Sequence, residues 1–228
     1  MKIGIIGAMQ MEMDNLKEAM LDTRTETVSG VTFVLGQIND VEVVAAVSGI
    51  GKVFAAICTE AMIVKYAPDM IINIGVAGSL TRDLGVLDVA VATQVCQHDM
   101  DTSPIGDPVG LLSGINRIFL PADEKMCGLL CSVIEERKIG YLKGTIASGD
   151  QFVASPGRKT FITDTFSAIA CEMEGAAIGQ VCYVNGVPFC VLRAISDSAD
   201  GSSHMDYPVF AQMAAEQSVR LLLAFLRG

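Results

Sequence analysis

Met70-Ile71-Ile72-Asn73-Ile74-Gly75-Val76-Ala77-Gly78 carries the strongest architectural signal in this 228-residue sequence. Residues 70–74 form a nearly continuous apolar run of strand length, the pattern of a strand buried on both faces. Residues 75–78 are small, which lets a ligand approach the backbone closely. A doubly buried strand needs helices above and below it, and the neighbouring sequence supplies them. Strand-like runs at 2–7, 86–95, 141–147, 167–171 and 187–195 alternate with helical stretches at 12–20, 51–66, 123–137, 175–183 and 207–226. Pro68 stops the second of these helices, and Ser155-Pro156 starts another with proline at the first helical position. The runs at 31–38 and 41–47, separated by Asn39-Asp40, read as a hairpin, so the sheet is expected to be mixed. Residues 103–120, with Pro104, Gly106, Pro108, Gly110 and Gly114, read as a long loop or lid. No linker or repeat divides the chain, and the expectation is one α/β domain over residues 1–228.

Composition narrows the function classes. The net charge is -10, which argues against nucleic acid or an anionic membrane as partner, since both call for a basic surface. The mean hydropathy of +0.46 is high. The most apolar stretches, such as 219–226 and 86–95, nevertheless fall short of the roughly 20 residues of a spanning helix. The surplus is better placed in a buried sheet and a subunit interface. Met1-Lys2-Ile3-Gly4 enters a strand pattern at once, without a hydrophobic leader, and suggests a cytoplasmic protein. Seven cysteines without a CxxC pair read as reduced core residues, and two histidines are too few for a multi-histidine metal site.

In open α/β sheets ligands gather at the carboxyl ends of strands. Those ends read Ala8-Met9-Gln10-Met11-Glu12, Ser48-Gly49-Ile50-Gly51-Lys52, Gly75-Val76-Ala77-Gly78, Ser148-Gly149-Asp150, Glu172-Met173-Glu174 and Ser196-Asp197. Gly4-Ile5-Ile6-Gly7 lacks the closing glycine of a dinucleotide fingerprint. Each carboxylate has an ordinary explanation: Glu12 at the start of a helix, Asp197 as a cap or turn residue, Glu172 and Glu174 solvated or paired with Arg193. Together they suggest one acidic crevice, whose ligand the residue types alone do not identify.

At these same segments, in order from residue 1 to about 207, the chain resembles the 5′-methylthioadenosine/S-adenosylhomocysteine nucleosidases of the purine nucleoside phosphorylase superfamily. The Arg193-Ala194-Ile195-Ser196-Asp197-Ser198-Ala199-Asp200 stretch belongs to the same match. The resemblance implies a three-layer αβα fold with a mixed, curved central sheet, and a homodimer whose partner subunit contributes to the 5′ pocket. It implies hydrolysis of the adenine–ribose bond, with no metal or organic cofactor, within methionine salvage. Glu12 would activate water and Asp197 would protonate N7 of adenine. Met173 and Glu174 would hold the ribose. Phe152 would stack on adenine, with backbone at Phe152 or Val153 reading its edge. Met9, Ile50 and Tyr207 would line the ribose and alkylthio end, and Val76, Ala77, Gly78, Glu172, Arg193 and Ser196 complete the substrate-binding set. Val76 stands where relatives often carry a small hydroxyl residue.

The chemistry agrees with that carry-over. Adenine leaves poorly as an anion, so a carboxylic acid must protonate it, and carboxylates stabilise the oxocarbenium-like sugar. A phosphorylase on the same fold would need arginine for phosphate, and the position two before Gly75, arginine in the related phosphorylases, is Asn73. Aminodeoxyfutalosine is an alternative nucleoside substrate. A nucleoside-binding protein without activity is a further alternative, although it has no need of positioned acid and base groups.

Overall fold

A computed structural model describes residues 1–199 and 207–227, the side chain of Tyr207 excepted. The stretch 70–78 lies within β5 (Met70–Ser79), at the centre of the molecule. β1 (Lys2–Gly7) runs parallel between β5 and β4 (Val41–Val47). β3 (Val31–Ile38) pairs antiparallel with β4 through the Asn39-Asp40 turn, and β2 (Leu21–Val28) adds an outer antiparallel strand. Asn39 takes a left-handed φ of 50°, which asparagine tolerates better than most residues.

On its other side β5 pairs with β10 (Phe189–Asp197), parallel. β10 then pairs antiparallel with β6 (Val89–Gln97), and β6 pairs parallel with β8 (Tyr141–Ser148). β8 runs parallel to β9 (Ala168–Glu172), which returns to β5 through Gly78↔Cys171 and Ser79↔Ala170. These strands therefore close a ring, β5–β10–β6–β8–β9, the extreme form of the curvature expected. β7 (Leu120–Pro121) pairs with β6 at the end of the segment 103–120 read as a loop.

Strand periodicity sorts side chains to two faces. Ile6, Val44, Ala46 and Ile71 enter one core with Cys58 and Met62 of α2 (Lys52–Tyr66) and Ile178 and Cys182 of α5 (Gly175–Asn185). Ile3, Ile5, Val43, Ala45, Ile72 and Ile74 enter the other. There they meet Leu16 of α1 (Asp14–Ala19), Leu130 and Ile134 of α3 (Glu124–Glu136) and Val219 and Leu222 of α6 (Tyr207–Arg227). Each fully buried isoleucine contributes about 2 kcal/mol. α4 (Pro156–Phe166) covers β8 and β9. All seven cysteines are free and buried.

Three local readings change. The helix expected over 12–20 starts later, because Gln10–Glu12 forms a 3-10 turn before α1. β6 begins and ends a few residues beyond the expected 86–95. Within α6, Pro208–Arg227 is long and apolar enough by length and composition to cross a membrane. Its Ala211, Ala214, Val219, Leu222 and Leu226 are buried, and the helix packs on β10 and β5.

Candidate active site

Arg193 organises the site. It projects from β10, is 1% exposed, and donates through Nη2 to Asn73 Oδ1 at 2.5 Å and to Glu172 Oε2. Glu174 Oε2 lies 3.5 Å from the same nitrogen. A buried guanidinium needs such partners, since an unpaired buried charge is strongly destabilising. Asn73 also donates to the Ile6 carbonyl at 2.9 Å, which fixes which end of its amide faces Arg193. Gly75 makes the arrangement possible: a Cβ there would lie 2.2 Å from Arg193 Nη1 and 2.7 Å from Glu12 Oε1.

Glu172 ends β9 and accepts further hydrogen bonds from the backbone N–H groups of Glu174 at 3.1 Å and Gly175 at 2.8 Å, and from the Ser148 hydroxyl. Ser148 in turn accepts from the Ala176 N–H at 2.7 Å. Glu172 is thus saturated by neighbours. Glu174 is less so: among the described residues its Oε1 accepts only the Gly51 N–H, at 2.9 Å. Burial, and then the charges of Glu172 and Glu12, push the Glu174 carboxyl up to about 7, against the pull of Arg193.

Glu12 closes the 3-10 turn after β1 and is 1% exposed. Its Oε2 accepts from the N–H groups of Ala8 at 2.6 Å and Met9 at 2.9 Å, and Oε1 from Val76 at 3.3 Å. Burial raises its proton affinity, while Arg193 and these backbone donors oppose the rise. The ordinary helix-start explanation of Glu12 does not hold, because the side chain turns inward to three strand-end amides. Asp197, at the end of β10, accepts from the Ser196 hydroxyl at 2.8 Å through Oδ2 and from the Ala199 N–H at 2.7 Å through Oδ1. His98, just after β6 and against Gly149, is buried, and burial followed by the neighbouring Arg158 holds it down to about 4, so it stays neutral.

These groups surround one cleft of about 630 Å³, its open mouth included. Glu12, Asp197, Met9, Ile50, Val76, Ala77, Gly78, Phe152, Val153, Glu172, Met173, Glu174, Arg193 and Ser196 all line it. Tyr207 opens α6, but its side chain lies outside the described residues, as does Asp200. Ala8, Gln151 and Cys171 line the cleft as well, each adjoining a residue that the sequence singles out. In the sequence Asn73 stands out only as the absence of an arginine; its buried contact with Arg193 spans 120 residues and leaves no local trace. Among the described residues no group of three or more His, Cys, Asp or Glu is arranged to hold a metal ion. The cleft is apolar in its walls, with acids at its floor. Such a site can grip a neutral ligand, move protons and stabilise positive charge.

Comparison with known proteins identifies the family. Residues 2–227 match the family model of the phosphorylase superfamily. The chain is 39% identical over 228 residues to the 5′-methylthioadenosine/S-adenosylhomocysteine nucleosidase of Shewanella halifaxensis, covering 100% of this chain and 99% of that one. Among solved structures it is similar to a mutant of the Helicobacter pylori nucleosidase with 5′-methylthioadenosine in the active site (TM-score 0.95, 38% identity, 99% and 98% of the two chains). It is also similar to the futalosine hydrolase of Helicobacter pylori strain 26695 (TM-score 0.95, 39% identity, 99% and 97%). With a family match over nearly its whole length and relatives this similar from end to end, the chain belongs to the phosphorylase superfamily and, within it, to the 5′-methylthioadenosine/S-adenosylhomocysteine nucleosidases.

Proposed function

We propose that this protein hydrolyses the N-glycosidic bond of 5′-methylthioadenosine and S-adenosylhomocysteine, releasing adenine and the thioribose product. The observation that carries the choice of water over phosphate is the state of Arg193. It is the only arginine lining the cleft among the described residues; Glu172, Glu174 and Asn73 all engage its Nη2, and its Nε is buried away from solvent. A phosphate dianion would enter beside carboxylates that already neutralise this guanidinium, and no second arginine lines the cleft among the described residues. Water meets no such repulsion.

In this reading Glu12 accepts a proton from the attacking water, and burial makes it a stronger base than an exposed carboxylate. Asp197 delivers a proton to N7 as the C–N bond breaks, so adenine departs neutral. Glu174, beside the sugar, holds its hydroxyls and offsets the cationic charge that develops on the ring. Met9, Ile50 and Met173 suit the alkylthio and ribose contacts, Met being adaptable to irregular apolar surfaces. The protein would act as a single catalytic domain over residues 1–228, in a cytoplasmic homodimer serving methionine salvage.

Adenine release from methylthioadenosine, with and without added phosphate, tests the proposal. Release in phosphate-free buffer yielding free methylthioribose is the expected result. Release that requires phosphate and yields a sugar phosphate would overturn it. The similarity to a futalosine hydrolase supports a second reading, that aminodeoxyfutalosine is also cleaved, and the same assay with that nucleoside decides it.

A further inference from the structure

Asp197 sits at the start of a turn that is held from outside the cleft. Its Oδ1 accepts the N–H of Ala199 at 2.7 Å. The carbonyl of that same peptide group, Ser198 O, accepts from Lys159 Nζ at 2.6 Å. Lys159 comes from α4 and also donates to the Ser79 carbonyl at 2.9 Å, at the end of β5. One ammonium thus ties the carboxyl end of β5 to the residue after Asp197. The turn needs such a tie: Ala199 has φ +51°, the left-handed region that an alanine adopts only at a cost, and it is 1% exposed. It packs against Gly78, where a Cβ would fall 2.9 Å from the Ala199 Cβ and 3.0 Å from Asp197 Oδ1.

We propose that Lys159 is the positioning residue for the proposed acid Asp197, acting through the Ser198–Ala199 peptide. The ammonium fixes the peptide plane at its oxygen, and the N–H at the other end of that plane fixes the carboxyl. Its charge also polarises the peptide, which strengthens the N–H as a donor. The effect is largest when Asp197 has released its proton and Oδ1 carries negative charge, because hydrogen bonds to ionised acceptors are the stronger ones. An interaction that grows as the reaction proceeds raises turnover more than binding. Lys159 touches no substrate in this scheme.

The inference rests on Asp197 being the acid, and the experiment separates the two ideas. Lys159→Met, Lys159→Arg, Asp197→Asn and the double variant Lys159→Met/Asp197→Asn are assayed for adenine release, with folding followed by thermal melting. Lys159→Met is expected to lower kcat by about tenfold or more while KM moves by less than about threefold. Lys159→Arg, which keeps the charge and the donors, is expected to recover kcat to within about threefold of the unaltered protein. In the Asp197→Asn background Lys159→Met should cost less than about twofold more, because the two residues act as one unit. A loss confined to KM, an unchanged kcat, or a full additional loss in the double variant would overturn the role of Lys159. Near-normal turnover in Asp197→Asn alone would instead remove the acid assignment. Should Lys159→Met not fold, Lys159→Gln, a neutral donor of similar reach, is read by the same criteria.

Discussion

Glu12 is buried, yet three backbone N–H groups from two separate strand ends meet its oxygens. That pinning makes it a fixed acceptor facing the cleft. Replacing it by Gln keeps the shape and removes the basicity, so Glu12→Gln should fold and lose turnover by about a hundredfold or more. Adenine release is the measurement, and a rate near that of the unaltered protein would mean another group activates the water. Glu174 carries a different signature. Its carboxyl is shifted up to about 7 from 4.5, so the folded protein binds this proton more tightly than the unfolded chain does. The stabilisation from that proton is complete below pH 4.5 and is lost as pH rises through about 7. Glu174→Gln removes the dependence. Its stability relative to the unaltered protein should therefore climb by about 2–3 kcal/mol between pH 5 and pH 8, or roughly 4 to 10 °C in Tm. Parallel melting curves for the two proteins over that range would contradict the charge cluster described above. These acids were legible because each lies at or within a few residues of the carboxyl end of an apolar strand. Asn73 and Lys159 were not, since their partners lie 120, 80 and 39 residues away.

At the scale of elements, helix starts and the long strands show in the sequence where a local chemical cue exists. α3 is the plainest case. Asp123 takes an extended conformation and its side chain accepts the Met126 N–H at 2.8 Å, satisfying one of the donors a helix start leaves open. The helix lies on the face opposite α2 and α5, and its residues do not line the cleft. Asp123→Ala is therefore expected to lower stability by about 1 kcal/mol while leaving kcat and KM unchanged. Urea unfolding beside an activity assay checks both halves. β2 shows the opposite situation. Leu21-Asp22-Thr23-Arg24-Thr25-Glu26-Thr27-Val28 is an edge strand, mostly exposed on both faces, so no apolar alternation announces it. It forms because β3 offers an unpaired edge, a cause that lies outside its own residues. The 3-10 turn at Gln10–Glu12 has a similar origin: tertiary hydrogen bonds to Glu12 override the helical periodicity that follows.

For the whole molecule, the question is where the surplus apolarity goes. Two cores absorb much of it, but one surface leaves large apolar side chains exposed. Val53, Phe54 and Ile57 share a face of α2 and are 68%, 58% and 40% exposed. Ile50, 54% exposed, lies just before this helix and also lines the cleft, and Val184 of α5, which packs on α2, is 64% exposed. Exposed apolar side chains concentrated at one end of a helix suit an interaction site, and a second copy of this chain is the proposed occupant. A second copy seated on it would bury the α2 face and narrow the cleft mouth at Ile50, where the alkylthio group is proposed to lie. Each copy carries a net charge of -10, so association must overcome mutual repulsion, and added salt should favour it by screening. Light scattering is expected to give twice the 24.1 kDa chain mass. Phe54→Asp places a charge in the middle of the proposed interface and should yield monomers that still melt cooperatively. Because Ile50 would then face solvent, the monomer should show kcat/KM for methylthioadenosine lower by about tenfold, mostly through KM. A single-chain mass for the unaltered protein, or Phe54→Asp monomers with full activity, would show that the cleft is complete within one copy.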